Sequence, residues 1–183
     1  MISGCEHWNA LPGEDAAFLS FYRHQRPRLC RTLTAIASDS RFVDDVVQDA
    51  LLIARYKWPE ICHYDKPGAW VTKVALRLLR RHLKTDSRHY TPLLEDEDDH
   101  RRPTREANLG EVVAEHHDLY AAIRKLPRCQ REAVAMHYIL DYTIADVAAI
   151  LGATEGSVKK NLHIARRRLE QELGNHRREG GGR

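Results

Sequence analysis

Apolar residues in this chain recur three and four positions apart, and nowhere do they alternate with polar residues for long enough to make a strand. Val43, Val46, Val47, Ala50 and Ala54 form one such stripe. Val71, Val74, Ala75, Leu78 and Leu79 form a second, and Ile144, Val147, Ala148 and Leu151 a third. A fourth runs through Val158, Leu162, Ala165 and Leu169. The period predicts an all-α protein of two small helical domains, at 15–85 and 115–173. Between them, residues 86–114 carry Pro92, Pro103, Gly110 and the acidic run Glu95 to Asp99, which defeats both periodicity and burial and predicts a flexible linker. The polar, glycine-rich residues 174–183 predict a disordered tail.

The third and fourth stripes lie within Thr143 to Arg168 and are separated by a very short break. Thr143 is placed to N-cap the first helix, with Asp146 three residues on completing a capping box. Gly152 stands where that helix must stop, and Thr154 is placed to cap the next. Two helices with apolar inner faces and so short a turn pack steeply on each other, as in a helix-turn-helix at 143–168. Lys159, His163, Arg166 and Arg167 then share the outer side of the second helix, flanked by Lys160. A basic outer face is compatible with plain solvation, but caps, turn length and charge agree on a helix that reads DNA.

Two outer faces in the first domain carry chemistry. Opposite the Val43 to Ala54 stripe lie Asp44, Asp45, Gln48 and Asp49, a patch suited to a basic protein partner or simply to water. The sequence Trp58-Pro59-Glu60 is expected to end that helix, and Tyr64 to Gly68 to form a loop before a helix starting near Ala69. On that helix Lys73, Arg77, Arg80, Arg81 and Lys84 make a basic stripe, close in sequence to His63, Tyr64 and Trp70. Cations beside aromatic rings are what single-stranded nucleic acid requires, with charge for phosphates and flat faces for bases, although Trp70 also reads as a core anchor.

Composition narrows the field without deciding it. With 29 Lys and Arg against 26 Asp and Glu, the formal charge of +3 is too small to imply nucleic-acid binding, so the distribution of charge has to carry that claim. No apolar run approaches the ~20 residues of a membrane span, and the N-terminus lacks the order of a secretion signal, so a cytoplasmic protein without membrane insertion is expected. The four cysteines include no C-x-x-C pair. Cys5 with His7, and Cys62 with His63, offer at most two ligands each, so no metal and no other cofactor is expected. A nuclease using Asp44, Asp45 and Asp49 on a metal would need a second ordered acidic cluster, and none occurs, so no enzymatic activity is expected. A stand-alone helix-turn-helix regulator remains an alternative.

Three motifs in order resemble a known family, the extracytoplasmic-function (ECF) sigma factors of bacterial RNA polymerase. They are Asp44-Asp45-Val46-Val47-Gln48-Asp49, then Gly68-Ala69-Trp70-Val71-Thr72-Lys73-Val74-Ala75, then Leu126-Pro127-Arg128-Cys129-Gln130-Arg131, followed by the helix-turn-helix. The resemblance implies that the two domains are sigma regions two and four, and that the protein binds core polymerase, places it at promoters and assists melting. It implies that Asp44, Asp45, Gln48 and Asp49 dock on the clamp helices of the largest polymerase subunit, with region four meeting the flap. It further implies that Trp70, Lys73, Arg77, Arg80 and Arg81 bind the minus-ten element. Thr154, Ser157, Lys159, Lys160, His163, Arg166 and Arg167 would then contact the minus-thirty-five element. Promoter DNA, core polymerase and an anti-sigma factor are the partners it implies. A stand-alone regulator would need neither the acidic patch nor the aromatic-basic stripe.

Overall fold

Four amphipathic segments of the first half build a core around Trp58. The computed structural model describes residues 14–37, 40–88 and 117–180, and every regular element among them is helical. In chain order these are α1 (Glu14–Ile36), a 3-10 turn (Ser40–Phe42), α2 (Val43–Tyr56), α3 (Trp58–Ile61) and α4 (Pro67–Arg88). There follow α5 (His117–Arg124), α6 (Arg128–Val134), a π-helical turn (Ala135–Ile139), α7 (Ile144–Leu151) and α8 (Glu155–Gly180). By contact the chain divides into two units, one of residues 1–30 and 42–90, the other of 31–41 and 91–183. The linker expected at 86–114 is helical at 86–88, and the rest of it, with the acidic run Glu95 to Asp99, lies outside the described residues. Where a disordered tail was expected from 174, the backbone continues α8 through Gly180, and 181–183 lie outside the description.

In the first unit the stripe predicted on α2 is the one buried: Val43, Val46, Val47, Ala50 and Ala54 have no exposed surface, and Leu51 joins them. The α2 helix packs mainly on α4. Trp58 does not simply end α2. Lys57 closes α2 by donating its N–H to Ile53 O at 3.0 Å, and Pro59 sits in the first turn of the separate α3, where its missing N–H costs nothing. The indole is almost fully buried, edge-on to Phe18 with centroids 5.3 Å apart and tilted over Phe21 at 4.9 Å. Arg55 clamps the same corner, lying 5.5 Å from the Phe18 ring centroid and pairing with Asp15.

The α4 helix departs from expectation in start and in facing. It begins at Pro67, whose fixed φ suits a first helical position, rather than near Ala69. After Pro67, the side chains it buries among those described are Val71, Thr72, Ala75, Leu76 and Leu79, while the predicted Val74 and Leu78 are only half-buried. Thr72 enters the core because its hydroxyl donates to Gly68 O at 2.9 Å, which satisfies the polar group locally and lets the helix turn Leu76 inward.

In the second unit Tyr120, Ile123, Leu126, Val134, Met136, Leu140, Val147, Ile150, Val158, Leu162 and Ala165 form the core. Ile144, Leu151 and Leu169, which the periodicity placed in the buried stripes, are half-buried, as is Ile164. The Arg131 guanidinium is buried and donates to Arg124 O at 2.8 Å, tying α6 back to the end of α5.

Replacing Trp58 should be the most damaging single truncation in the first unit. Trp58→Ala is expected to cost about 3–5 kcal/mol in urea unfolding. Tyr56→Ala, at a side chain 84% exposed, should stay within about 0.5 kcal/mol of the parent.

Candidate nucleic-acid interface

The reading helix is positioned by caps at both ends of the preceding turn. Thr143 Oγ1 accepts the Asp146 N–H at 3.2 Å, and the Asp146 carboxylate accepts both the Thr143 N–H at 3.1 Å and its hydroxyl at 2.7 Å. The predicted capping box is therefore complete. Gly152 ends α7 in the left-handed region at φ +67°, a conformation that side chains with a Cβ adopt only under strain, and Ala153 N–H closes on Ala148 O at 3.0 Å. Thr154 Oγ1 then accepts the Ser157 N–H at 3.2 Å, starting α8. The break between the two helices is thus Gly152 to Thr154, as the sequence predicts.

With Val158, Leu162 and Ala165 turned inward, α8 presents Lys159, Lys160, His163, Arg166 and Arg167 to solvent. Four of these five have no hydrogen bond or ion pair among the described residues. The exception is Arg166, whose Nε lies 3.2 Å from Glu170 Oε1, an exposed i,i+4 pair of little energetic weight. Thr154 is spent on its cap, leaving Ser157 as the exposed hydroxyl of the first turn. Further along, Arg168 donates to Gln130 Oε1 at 3.2 Å and Glu172 pairs with Lys125, so α6 and the end of α5 brace the helix behind its basic face.

On α4 the basic stripe is real but uneven. Lys73 and Arg77 are exposed and unpaired among the described residues, Arg81 is exposed, Arg80 is half-buried, and the last two make interactions of their own. Trp70 is half-buried in the first turn, neither the full core anchor nor a wholly free ring. Tyr64, in the preceding loop, is 41% exposed and donates its hydroxyl to Glu60 Oε1 at 2.7 Å, and that carboxylate holds the phenol above its usual pKa.

The four residues of the acidic patch do not stand alike. Asp45, Gln48 and Asp49 are exposed and unpaired among the described residues. Asp44 is engaged: Arg26 Nη2 lies 3.5 Å from its Oδ1, and the Cys30 thiol donates to the same oxygen at 3.8 Å. Burial, opposed by Arg26 and reinforced by Asp44, pushes the Cys30 thiol pKa up, so this cysteine stays protonated and unreactive. Periodicity could not separate Asp44 from its neighbours, because its partners come from α1. The same outer face of α2 continues into Leu52, 60% exposed, and Tyr56. Neither is marked by charge, although their spacing of three and seven from Asp49 puts them on the same face. Among the described residues no group of three or more His, Cys, Asp or Glu side chains is arranged to hold a metal, and no helix is long and apolar enough to cross a membrane.

A unit with a helix-turn-helix, and a second helical unit with separate acidic and basic faces, define the class of a DNA-directed factor. Residues 116–169 match the sigma-70 region 4 family. Over 163 residues the chain is 31% identical to the ECF RNA polymerase sigma factor SigM of Mycobacterium tuberculosis, covering 88% of this chain and 80% of that one. It is 28% identical over 146 residues to the ECF RNA polymerase sigma factor EcfG of Rhodopseudomonas palustris, covering 78% and 77%. In fold it is similar to the sigma factor RpoE, solved in complex with the anti-sigma factor NepR from Bartonella quintana (TM-score 0.68, 22% identity, 86% and 96% covered). It is also similar in fold to CnrH in complex with the cytosolic domain of CnrY (TM-score 0.62, 22% identity, 89% and 91% covered). The chain belongs to the ECF RNA polymerase sigma factors. It therefore directs RNA polymerase to promoters and has no catalytic activity of its own.

The caps make a testable contribution. Thr143→Ala should cost about 1 kcal/mol in chemical unfolding, since the box loses its hydroxyl and strands the Asp146 N–H. A loss below a few tenths would show that the box does not hold α7.

Proposed function

We propose that the two units grip a promoter at separate points while α2 holds the polymerase. Asp45, Gln48 and Asp49, with Leu52 beside them, dock on the clamp helices of the largest polymerase subunit. Asp44 keeps α1 against α2 and contributes to docking only indirectly. The α4 stripe of Lys73 and Arg77, with Arg80, Arg81 and Trp70, binds the minus-ten element and holds its non-template strand as it melts. The outer face of α8, with Ser157, Lys159, Lys160, His163, Arg166 and Arg167, enters the major groove at the minus-thirty-five element, and Thr154 serves mainly to set its first turn. The second unit also meets the polymerase flap. An anti-sigma protein is a further partner, as NepR is for the RpoE structure similar in fold. The site of action is the cytoplasm, where polymerase and promoter DNA meet.

The observation that supports this reading is the pattern of unpaired charge in the first unit. Three polar groups on one face of α2 and two cations on one face of α4 have no partner among the described residues, and the two faces differ in sign. A stand-alone regulator has use for the basic face of α8 but for neither of these.

The test is transcription with reconstituted components. The purified chain should start transcription from a specific promoter only with core polymerase; tight promoter binding alone, with no effect on core enzyme, would sink the proposal. Asp49→Lys should abolish core binding and leave the thermal unfolding curve unchanged, because the site is exposed. Lys159→Ala should weaken promoter binding by about 1–3 kcal/mol if Lys159 reads a base. If it holds a phosphate, the loss should be uniform across sequences and the salt slope should fall by about 1.

A further inference from the structure

The first turn of α4 faces a hydrogen-bond donor that has no acceptor. Gln25, on α1, is 4% exposed, and its side-chain Nε2 is buried without a hydrogen-bond partner among the described residues. The amide lies flat against Gly68: a Cβ placed there would meet Gln25 Oε1 at 3.0 Å and Nε2 at 3.2 Å. The backbone acceptors of this turn are already committed. Lys66 O accepts the N–H groups of Ala69 at 3.1 Å and Trp70 at 3.4 Å. Gly68 O takes the Thr72 hydroxyl at 2.9 Å as well as the Thr72 N–H that a regular helix directs at it. A carbonyl oxygen has two lone pairs, so neither can also serve Gln25. An amide buried in this way carries its full desolvation penalty, and its removal would relieve the fold.

We propose that Gln25 reads a base. Its amide hydrogen-bonds an acceptor on the edge of one nucleobase of the opened single strand, lodged at the N-terminal turn of α4. This rests on the reading of the α4 stripe as the single-strand surface and extends it to a residue on another helix. The surroundings suit a nucleotide: Trp70 on the same turn is only half-buried, and Lys73 follows it with a cation that is unpaired among the described residues. Loop residues His63 to Lys66 are exposed beside them. Rotation about the broad last torsion of the glutamine would bring Nε2 round to an incoming base, whose acceptor offsets the desolvation of the donor. Gly68 leaves it the room, since a side chain there would press on the amide.

The experiment uses holoenzyme reconstituted from core polymerase and the full chain, with fork-junction promoter DNA whose single-stranded minus-ten segment carries one abasic site, moved position by position. The parent holoenzyme should lose about tenfold in affinity at one position where the base is missing. Gln25→Leu should lose about the same on the intact fork, lose nothing further at that one position, and melt no lower than the parent as free protein. Gly68→Ala should show the same position-specific loss. Gln25→Leu binding like the parent, or losses that simply add to the abasic loss at every position, would overturn the proposal. So would a fall in melting temperature with a uniform loss of affinity, which would make the amide structural. A parent holoenzyme that does not prefer the fork to duplex DNA would overturn the α4 reading as well, a result distinct from a parent that binds forks and a Gln25→Leu variant that matches it.

Discussion

Packing of α2 on α4 is the contact on which the first unit depends. Both helices commit one side to it, and Val43, Val46, Val47, Ala50 and Ala54 are fully withdrawn from water on the α2 side. Each buried valine contributes roughly 1.5–3 kcal/mol relative to exposure, far more than any surface ion pair in the unit. With the inner faces set by that burial, the outer faces follow from the helical period alone. Asp45, Gln48 and Asp49 have to look away from α4, and Lys73 and Arg77 have to look away from α2. The two exposed faces of opposite charge are thus a geometrical consequence of one apolar contact.

The same logic holds in the second unit, with one addition. The inner stripe of α8 fixes which side faces out, but a helix that reads DNA must also be fixed in direction and in its start. Gly152 at φ +67° reverses the chain in the fewest residues, and the Thr154 cap sets the first turn. Gln130 and Lys125 brace the far side through Arg168 and Glu172. Charges that stabilise the fold therefore sit behind the helix, and on the front only Arg166 is paired among the described residues, with a residue of its own helix.

Much of this was legible in the sequence because it depends on neighbours three and four residues away. The α2 stripe, the Thr143 capping box, the Gly152 stop and the Thr154 cap are all local, and each stands where spacing put it. What spacing missed depends on contacts distant in sequence. Asp44 looks like Asp45 and Asp49 until α1 brings Arg26 and Cys30 to its carboxylate. The facing of α4 was misjudged because Thr72 counts as polar in any pattern, whereas its hydroxyl is satisfied by Gly68 O and the methyl side is free to be buried. Trp58 read as a helix terminator for the same reason: its role is to fill the space between Phe18 and Phe21, which no local window contains. The π-helical turn at Ala135–Ile139, and Asp141 at φ +57°, had no sequence signal that the periodicity could register.

The distribution of satisfied and unsatisfied groups separates structure from function more sharply than net charge does. A total of +3 says little about nucleic acid. Yet the buried Arg131 has a backbone acceptor in Arg124 O and Arg168 has Gln130, so these cations belong to the fold. Lys73, Arg77, Lys159, Lys160 and Arg167 have no partner among the described residues, and an exposed cation can stay unpaired at almost no cost because water solvates it. Gln25 differs from these exposed cations, because its side-chain donor is buried and has no partner among the described residues. Exposed unpaired charge is cheap and marks where a ligand can bind, whereas a buried unpaired amide destabilises the free protein and is relieved only when an acceptor arrives.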